Sequence, residues 1–275
     1  PGLLESFKEQ WGYELQPELK PFLTKDGRAS MTGALRFNQD LLPLWQKLAV
    51  CVRTGQPLIS GNAHLGRDPE QTRRFVNGMH SRALAIGPAV ISQLDLADCT
   101  ALLDVGAGPG TYSLLLAQKY EQLRVTLFDL QPVLDIAEDL LPASKETAQR
   151  ITFHPGNYQT DDLPKPFDAT LFAGALHQES PTSARTVLAK IFASLKPGGR
   201  VFVIDLMLAD NRTQPAFSAL FELNMRLMRA DGRVFAHEEV VLMLEETGFC
   251  DANPTDIPDT PYHLVEARKP NTSSG

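Results

Sequence analysis

The stretch that most constrains this chain lies near its middle, at residues 102–117. A short apolar run ends in an acid at Asp104, three glycines follow, and the apolar spacing then becomes that of a helix. The glycines are Gly106, Gly108 and Gly110. A strand, a glycine turn and a helix in this order bring a ligand to the backbone at the carboxyl end of a parallel sheet. The stretch therefore predicts an α/β fold with a ligand site at this turn.

The spacing of the glycines bears on the ligand. Dinucleotide sites usually follow G-x-G-x-x-G, and the third glycine position is Thr111 here. A second strand-like run ends in Asp129, about twenty residues on, where a carboxylate accepts hydrogen bonds from a ribose. Both nicotinamide cofactors and S-adenosylmethionine contain a ribose, so these residues predict an adenosine-type ligand without choosing between the two. A purely structural turn with an acidic cap is the other interpretation.

Composition excludes several classes of partner. The chain has 275 residues, 43% of them hydrophobic, which suits one large α/β domain with additions. Its net charge of -7 and the absence of a basic run argue against nucleic acid. No apolar stretch approaches the roughly 20 residues that cross a bilayer, and no signal-peptide pattern is present, so we expect no membrane partner.

Cysteine and histidine spacing bears on compartment and metal. The chain has three cysteines, far apart, which fits free thiols in the cytoplasm. Neither they nor the six histidines fall at metal-ligand spacing, so we expect no metal.

Strand-like and helix-like runs alternate from residue 101 onward, which predicts a doubly wound, mostly parallel sheet. The predicted strands are Ala101–Val105, Val125–Asp129, Ile151–His154, Ala169–Ala173, Val201–Leu206, Cys250–Ile257 and Tyr262–Ala267. The predicted helices between them are Thr111–Tyr120, Val133–Leu140, Ser183–Leu195, Pro215–Arg229 and His237–Thr247. Only a short turn joins the last two strands, so they must pair antiparallel.

Three further regions surround this unit, which spans 99–269. Residues 1–33 contain two short strand-like runs, Leu3–Phe7 and Gly12–Leu15, and then a loop; we expect them to be the end of a domain that is otherwise missing from this chain. Residues 34–98 predict helices at Asn38–Val52 and at Asp68–Leu96, the second interrupted at Gly87–Pro88. These helices either cover the sheet or form a lid whose Phe75 and Met79 face a substrate. Residues 270–275 predict a disordered tail.

Several spaced motifs resemble those of S-adenosylmethionine-dependent methyltransferases. They are Lys196–Gly199 (K-P-G-G, before a hydrophobic strand), Asp104–Gly108, Phe128–Leu130, Gly156–Tyr158 and Ala175–His177. From Leu223 to Phe249 the chain is similar to small-molecule O-methyltransferases related to caffeate and acetylserotonin O-methyltransferases. The resemblance covers about Leu41 to Lys269. It implies a Rossmann-like class I methyltransferase with a seven-stranded sheet and an antiparallel last strand.

The resemblance also implies roles in cofactor binding. Asp104 and the turn Gly106, Gly108 and Gly110 would form the first motif beside the methionine moiety, Asp129 would bind the ribose, Leu130 and Tyr158 would enclose the adenine, and Asn157 would bond its amino group. A loop aromatic packed on the edge of the sheet is the other interpretation of Tyr158.

His177 is the candidate general base. It follows a predicted strand at the carboxyl edge, and an imidazole, with an ordinary pKa of about 6.5, suits removal of a phenol proton. Asp205 ends the neighbouring strand and would hold the Nδ1 hydrogen of the ring. The resemblance implies the same base, commonly with Glu in place of Asp205. A structural loop histidine is the other interpretation.

The chain departs from the family at several positions. It has His177-Gln178-Glu179 where the family usually has His-Asp-Trp, and Val234 follows the turn where a second acid is usual. Met225 matches a substrate-contacting Met of the family, and Arg229 replaces a smaller polar residue. As residues of an amphipathic helix, Met225 and Met228 would instead be core.

These features predict methylation of a hydroxyl on an aromatic or polyketide-like small molecule. C- or N-methylation, reuse of the fold for chemistry such as hydroxylation, and a catalytically silent module remain alternatives; the His177 and Asp205 pair argues against the last. The family usually begins with a dimerising winged-helix domain, of which this chain would hold only the final hairpin. Dimerisation by the family's route therefore does not follow for this chain, and a homodimer of the full-length protein and a part of a larger multidomain enzyme remain alternatives.

Overall fold

A computed structural model describes residues 4–6, 13–59, 66, 68–141 and 144–271 of the chain. Its nine strands are β1 (Leu4–Ser6), β2 (Tyr13–Leu15), β3 (Ala101–Val105), β4 (Arg124–Asp129), β5 (Ile151–Pro155), β6 (Phe167–Ala173), β7 (Leu195–Asp205), β8 (Cys250–Asp256) and β9 (His263–Arg268). Its α-helices are α1 (Lys20–Leu23), α2 (Thr32–Trp45), α3 (Leu48–Thr54), α4 (Pro69–Ser92), α5 (Thr111–Lys119), α6 (Gln131–Leu140), α7 (Lys145–Ala148), α8 (Pro181–Ser194), α9 (Ala216–Met228) and α10 (His237–Glu246).

Seven strands form the central sheet, in the order β5-β4-β3-β6-β7-β9-β8. Strands β3 to β7 pair in parallel, whereas β9 is antiparallel to both β7 and β8. The chain first proceeds outward from β3 to β5 and then returns to place β6 on the other side of β3. Ligands of such sheets bind at the carboxyl ends of the strands where this reversal occurs. The predicted class of fold, with its antiparallel end, is confirmed.

Buried aliphatic and aromatic side chains cover both faces of the sheet. One cluster includes Val105, Phe172 and Val203 and packs under α8 and α10; the other includes Leu102, Leu127 and Phe202 and packs under α4 and α5. Strands buried on both faces explain why the central runs are continuously apolar in sequence. Among the described residues, no helix combines the length and the apolarity that crossing a membrane requires.

The helical region before the sheet differs from the prediction. The helix predicted at Asn38–Val52 begins earlier, at Thr32, and is divided into α2 and α3. The predicted loop up to Gly33 contains α1 and the start of α2. Helix α4 runs without interruption through Gly87 and Pro88, and a Cβ at Gly87 would lie 2.5 Å from Leu115 Cδ1. Close packing of α4 on α5 thus outweighs the local preference of glycine and proline to end a helix.

Other boundaries are closer to prediction. Asp68 caps α4 by accepting from the backbone of Glu70 and Gln71, at 2.9 and 3.1 Å. Strand β7 includes the K-P-G-G turn, and the short α7 has no counterpart in the prediction. The short hairpin β1–β2 forms, although residues 1–3 and 7–12 lie outside the described part, as do 272–275 of the predicted tail.

Candidate active site

A cavity of about 270 Å³ lies where β3, β4 and β6 end. Its floor is the glycine turn after β3, and its roof is one face of α4, formed by Phe75, Met79, Arg82 and Ala83. Counted from Phe75, the other three positions are four, seven and eight residues further on, so all four share one side of the helix. Helix α4 therefore lies over the carboxyl edge of the sheet and contributes Met79 to the cavity. Helix α2 packs on α4 and supplies none of the residues that line the cavity.

The backbone N–H groups of the glycine turn are hydrogen-bonded within the protein. The N–H groups of Gly106 and Ala107 donate to Phe128 O, at 2.8 and 3.3 Å, and that of Gly108 donates to Asp129 Oδ2 at 2.8 Å. Gly108 has φ +55°, and no atom lies within 4 Å of the position that a Cβ would take. Because its N–H groups are already used, the turn offers a ligand close approach and little hydrogen bonding.

Asp129 is the last residue of β4, and both of its carboxylate oxygens accept hydrogen bonds from backbone N–H groups. Oδ2 accepts from Gly108 and Oδ1 accepts from its neighbour Leu130, at 2.8 and 2.7 Å. Burial raises the pKa of Asp129 to about 6, although these two N–H groups oppose the rise. Each oxygen keeps a second lone pair toward the cavity, as a ribose diol requires.

Asp104 is a second buried acid in the cavity wall. Burial raises its pKa to about 7, the hydrogen bond from Ser113 Oγ at 2.6 Å opposes the rise, and the charge of Asp129 adds to it. Two buried carboxylates that resist ionisation in a low-dielectric cavity favour a cationic ligand, which would stabilise both charges.

Sequence reasoning did not identify three residues that line the same cavity: Arg82, Tyr112 and Tyr262. The guanidinium of Arg82 donates to Asn38 Oδ1 at 2.6 Å and makes no ion pair with any described residue. The spacing of Arg82 from Phe75 and Met79 on one helix face could have identified it. Nothing near Tyr262 in the sequence marked it, because it reaches the cavity only through the antiparallel pairing of β9.

The residues predicted to enclose an adenine all line the cavity: Leu130, Asn157 and Tyr158. The phenol of Tyr158 donates to the buried carboxylate of Glu179 at 3.0 Å, and its ring packs edge-on against Phe172. Asn157 Oδ1 accepts from the backbone of Gln159 at 2.9 Å, which leaves its NH₂ group free of described partners. Tyr158 thus lies in the cavity wall and also serves a packing role.

His177 and Asp205 meet beside this cavity. The ring Nδ1 of His177 lies 2.7 Å from Asp205 Oδ1, and the backbone N–H of His177 donates to Asp205 Oδ2 at 3.0 Å. Because a carboxylate only accepts, Nδ1 carries the hydrogen and Nε2 has the free lone pair. No described residue bonds to Nε2. Neither side chain lines the cavity itself, whereas their neighbours Gln178 and Ile204 do.

The other side of the His177 ring faces an aromatic residue. Phe221 packs edge-on against it with ring centroids 4.9 Å apart, and Val234 is buried next to Phe221 in a small apolar cluster. Asp205 is therefore the only carboxylate bonded to His177 among the described residues.

Met225 and Arg229, predicted to line the acceptor site, are absent from the cavity wall. Met225 is 2% exposed and packs beside Gly232, in agreement with the core interpretation. Arg229 Nη1 donates to Gln178 Oε1 at 3.2 Å and so contacts a residue of the wall.

One group of potential metal ligands occurs among the described residues: His237, Asp256 and His263. His263 Nδ1 accepts from the backbone N–H of Met207 at 3.2 Å, so the neutral ring carries its hydrogen on Nε2, which points toward Asp256. A ligating Nε2 would have to lose that hydrogen. The cluster is therefore better suited to hydrogen bonding than to a metal ion.

Comparison with known proteins agrees with this geometry. Residues 45–250 match the model of the O-methyltransferase domain family. The chain is 32% identical to the tetracenomycin polyketide synthesis 8-O-methyl transferase TcmO of Streptomyces glaucescens, over 98% of this chain and 79% of that protein. It is 28% identical to acetylserotonin O-methyltransferase of Gallus gallus, over 83% of this chain and 68% of the relative.

The fold matches solved structures as well. The human N-acetylserotonin methyltransferase in complex with SAM superposes with a TM-score of 0.87 at 23% identity, covering 98% of this chain and 79% of that chain. The predicted class of enzyme, a methyltransferase that uses S-adenosylmethionine and acts on a small molecule, is confirmed. Because residues 45–250 match the family model and the chain is similar to TcmO, the chain belongs to the O-methyltransferase domain family.

Proposed function

We propose that the chain methylates a hydroxyl of an aromatic or polyketide-like molecule, with His177 as the general base. The observation that carries this proposal is the His177–Asp205 pair at the edge of the cavity, with Nε2 free to take a proton. The similarity to TcmO, whose name describes a polyketide 8-O-methyl transferase, supports the class of acceptor.

The cavity fits S-adenosylmethionine, which supplies an electrophilic methyl group on a sulfonium. The ligand is a cation with an amino-acid end. The cavity combines two buried carboxylates, Asp104 and Asp129, with the guanidinium of Arg82, which has no carboxylate partner among the described residues. We propose that Arg82 binds the carboxylate of the methionine moiety and that Asp129 binds the ribose. The open space beside Gly108 leaves room for the ligand to pass against the turn.

In the proposed reaction His177 removes the proton of the acceptor hydroxyl. The O–H bond breaks as the oxygen takes the methyl group, and the proton moves to Nε2. Asp205 stabilises the imidazolium that forms and keeps Nδ1 protonated throughout. The proposal needs no further reactant, because the departing thioether keeps the electron pair of the broken S–C bond.

Calorimetry with S-adenosylmethionine, its demethylated product and NAD tests the cofactor. We expect the first two to bind and NAD not to bind. Incubation with labelled cofactor and a panel of phenols, amines and carbon acids then tests the acceptor. Label in phenols supports the proposal, and label confined to amines or to carbon acids contradicts it.

We also propose that the protein acts in the cytoplasm as a homodimer. The cysteines Cys51, Cys99 and Cys250 are free, which suits a reducing compartment. Helix α9 exposes Phe217 and Leu220, each 57% accessible, on a face that a second copy would cover. Light scattering of the purified protein should give twice the mass of the chain; a monomer at micromolar concentration would contradict the dimer.

A further inference from the structure

We infer that Arg229 and Gln178 bind an anionic oxygen of the acceptor, and that the acceptor is an aromatic hydroxy acid. This inference rests on the proposed function, because it concerns the molecule that the His177 site would hold.

The orientation of the Gln178 amide follows from its partner. A guanidinium only donates, so the amide atom that faces Arg229 Nη1 at 3.2 Å must be the oxygen. The NH₂ group of Gln178 then points away from Arg229, and no described residue accepts a hydrogen bond from it. Because Gln178 lines the cavity, this NH₂ group is a donor available to a ligand.

The charge of Arg229 is uncompensated within the described residues. Its neighbours on the same side of the fold are paired: Arg212 with Glu222 and Glu239, and Arg233 with Glu239. Among the residues that the structure describes, no carboxylate lies within salt-bridge distance of Arg229. A partly buried guanidinium without a counter-ion favours binding of an anion.

Glu179 is the nearest acid along the chain to Gln178, and it is already engaged. Its carboxylate accepts from Tyr158 Oη at 3.0 Å and from Gln159 Nε2 at 2.7 Å, with the residue 1% exposed. Burial raises the pKa of Tyr158 well above its usual value, and the charge of Arg229 opposes that rise. The charge of Arg229 therefore acts on Tyr158 in the cavity wall. The carboxylate of Glu179 accepts from Tyr158 and Gln159 and is not the counter-ion of Arg229.

The position of these donors limits where the anion sits on the acceptor. Gln178 follows His177 directly, and adjacent Cα atoms are about 3.8 Å apart. Gln178 lines the cavity and His177 lies beside it, so an acceptor whose hydroxyl reaches His177 Nε2 also passes Gln178.

Three matched acceptors test the inference: 3-hydroxy-2-naphthoate, its methyl ester and 2-naphthol. Their binding to the full chain saturated with S-adenosylhomocysteine is measured by calorimetry, and their methylation is measured separately. We expect the naphthoate to bind about 10- to 100-fold more tightly than the ester, the range for a hydrogen bond to a charged group. In Arg229→Gln the ratio of the affinity for the naphthoate to that for the ester should fall toward one, and Arg229→Lys should retain part of this preference.

Arg226→Gln is the matched control, because Arg226 lies in the last turn of α9, three residues before Arg229, with its side chain 47% exposed and an ion pair to Glu222 at 3.7 Å. The ratio should be unchanged in this variant. An equal preference for acid and ester in the unaltered chain, no binding of any of the three, or a ratio that survives Arg229→Gln would overturn the inference. Preferential binding of the naphthoate without any methyl transfer would retain the anion site and refute the proposed function instead.

Discussion

Asp205 holds His177 at two points, accepting from the ring at 2.7 Å and from the backbone N–H at 3.0 Å. Its Oδ1 also accepts from the backbone of Leu206 at 2.7 Å. The carboxylate therefore fixes both the position of the histidine backbone and the tautomer of its ring. This arrangement needs β6 and β7 to be neighbours, since His177 follows one strand and Asp205 ends the other.

The first prediction concerns the base. His177→Ala should lower turnover by roughly 10²–10⁴, the usual contribution of a general base, because Nε2 is the only ring atom left to take the proton. Cofactor affinity should barely change, since the ring lies outside the cavity lining. Steady-state kinetics and calorimetry measure the two effects. Near-normal turnover in the variant would show that His177 is structural.

The second prediction concerns its partner. In Asp205→Asn one of the two accepting positions becomes an NH₂ group, which must face either the backbone N–H of His177 or the donors at Oδ1. The lost bond and the unsatisfied donor should cost about 1–3 kcal/mol, or roughly 10- to 100-fold in turnover. The effect should be smaller than that of His177→Ala. A larger loss than in His177→Ala would contradict a purely orienting role.

The third prediction compares two glycines of one turn. Gly108 and Gly110 both have positive φ, but a Cβ at Gly108 would meet open cavity and one at Gly110 would lie 2.7 Å from Leu127 Cδ1. Gly110→Ala should therefore lower the free energy of unfolding more than Gly108→Ala does. Gly108→Ala should weaken S-adenosylmethionine binding more than its modest stability loss explains. Urea unfolding gives the stability and calorimetry gives the affinity for S-adenosylmethionine. Equal effects of the two substitutions on stability and on affinity would contradict these different roles of the two glycines.

The sequence predicts the parts of this site that depend on local pattern. The glycine turn, Asp104 and Asp129 form a contiguous strand–turn–helix and the strand after it, so their meeting follows from parallel pairing. His177 and Asp205 also follow, because each comes at the carboxyl end of a predicted strand.

What the sequence could not predict depends on long-range packing. Tyr262 reaches the cavity through a strand at the far end of the chain, and Arg82 lines it because one face of α4 covers the carboxyl edge of the sheet. The bond between Arg229 and Gln178 joins residues 51 positions apart. Such contacts are set by how α4 and α9 dock on the sheet, which local propensity does not determine.

The fourth prediction concerns Asp129 and pH. Its pKa in the ligand-free protein is about 6, so the carboxylate gains a proton as the pH falls through that value. A protonated acid is a weaker acceptor for a ribose hydroxyl, and S-adenosylmethionine should bind less tightly at pH 5.5 than at pH 7.5. Asp129→Ala should weaken binding at pH 7.5 by about 1.5–3 kcal/mol and by less at pH 5.5. Asp135→Ala, at an exposed acid of α6, is the control, and an equal loss at both pH values would contradict the assignment.

The last prediction concerns Asp104, whose folded-state pKa of about 7 lies above its ordinary value of 3.8 because the residue is buried. Between these values the folded chain binds a proton that the unfolded chain releases. Its free energy of unfolding therefore falls as the pH rises through this window. In Asp104→Asn the side-chain oxygen still accepts from Ser113 and no charge can form. From pH 5 to pH 8, the ligand-free parent should lose up to about 3 kcal/mol more stability than the variant.

Urea unfolding of both proteins without ligand, at pH 5 and pH 8, measures this difference. Asp139→Asn, at an exposed acid whose side chain is 63% accessible, should follow the parent at both pH values. Saturating S-adenosylmethionine should reduce the difference at pH 8, because a cation in the cavity stabilises the ionised carboxylate. If the parent and Asp104→Asn change equally between the two pH values, Asp104 is ionised without cost in the folded chain, and the cavity does not favour a cation in the way proposed here.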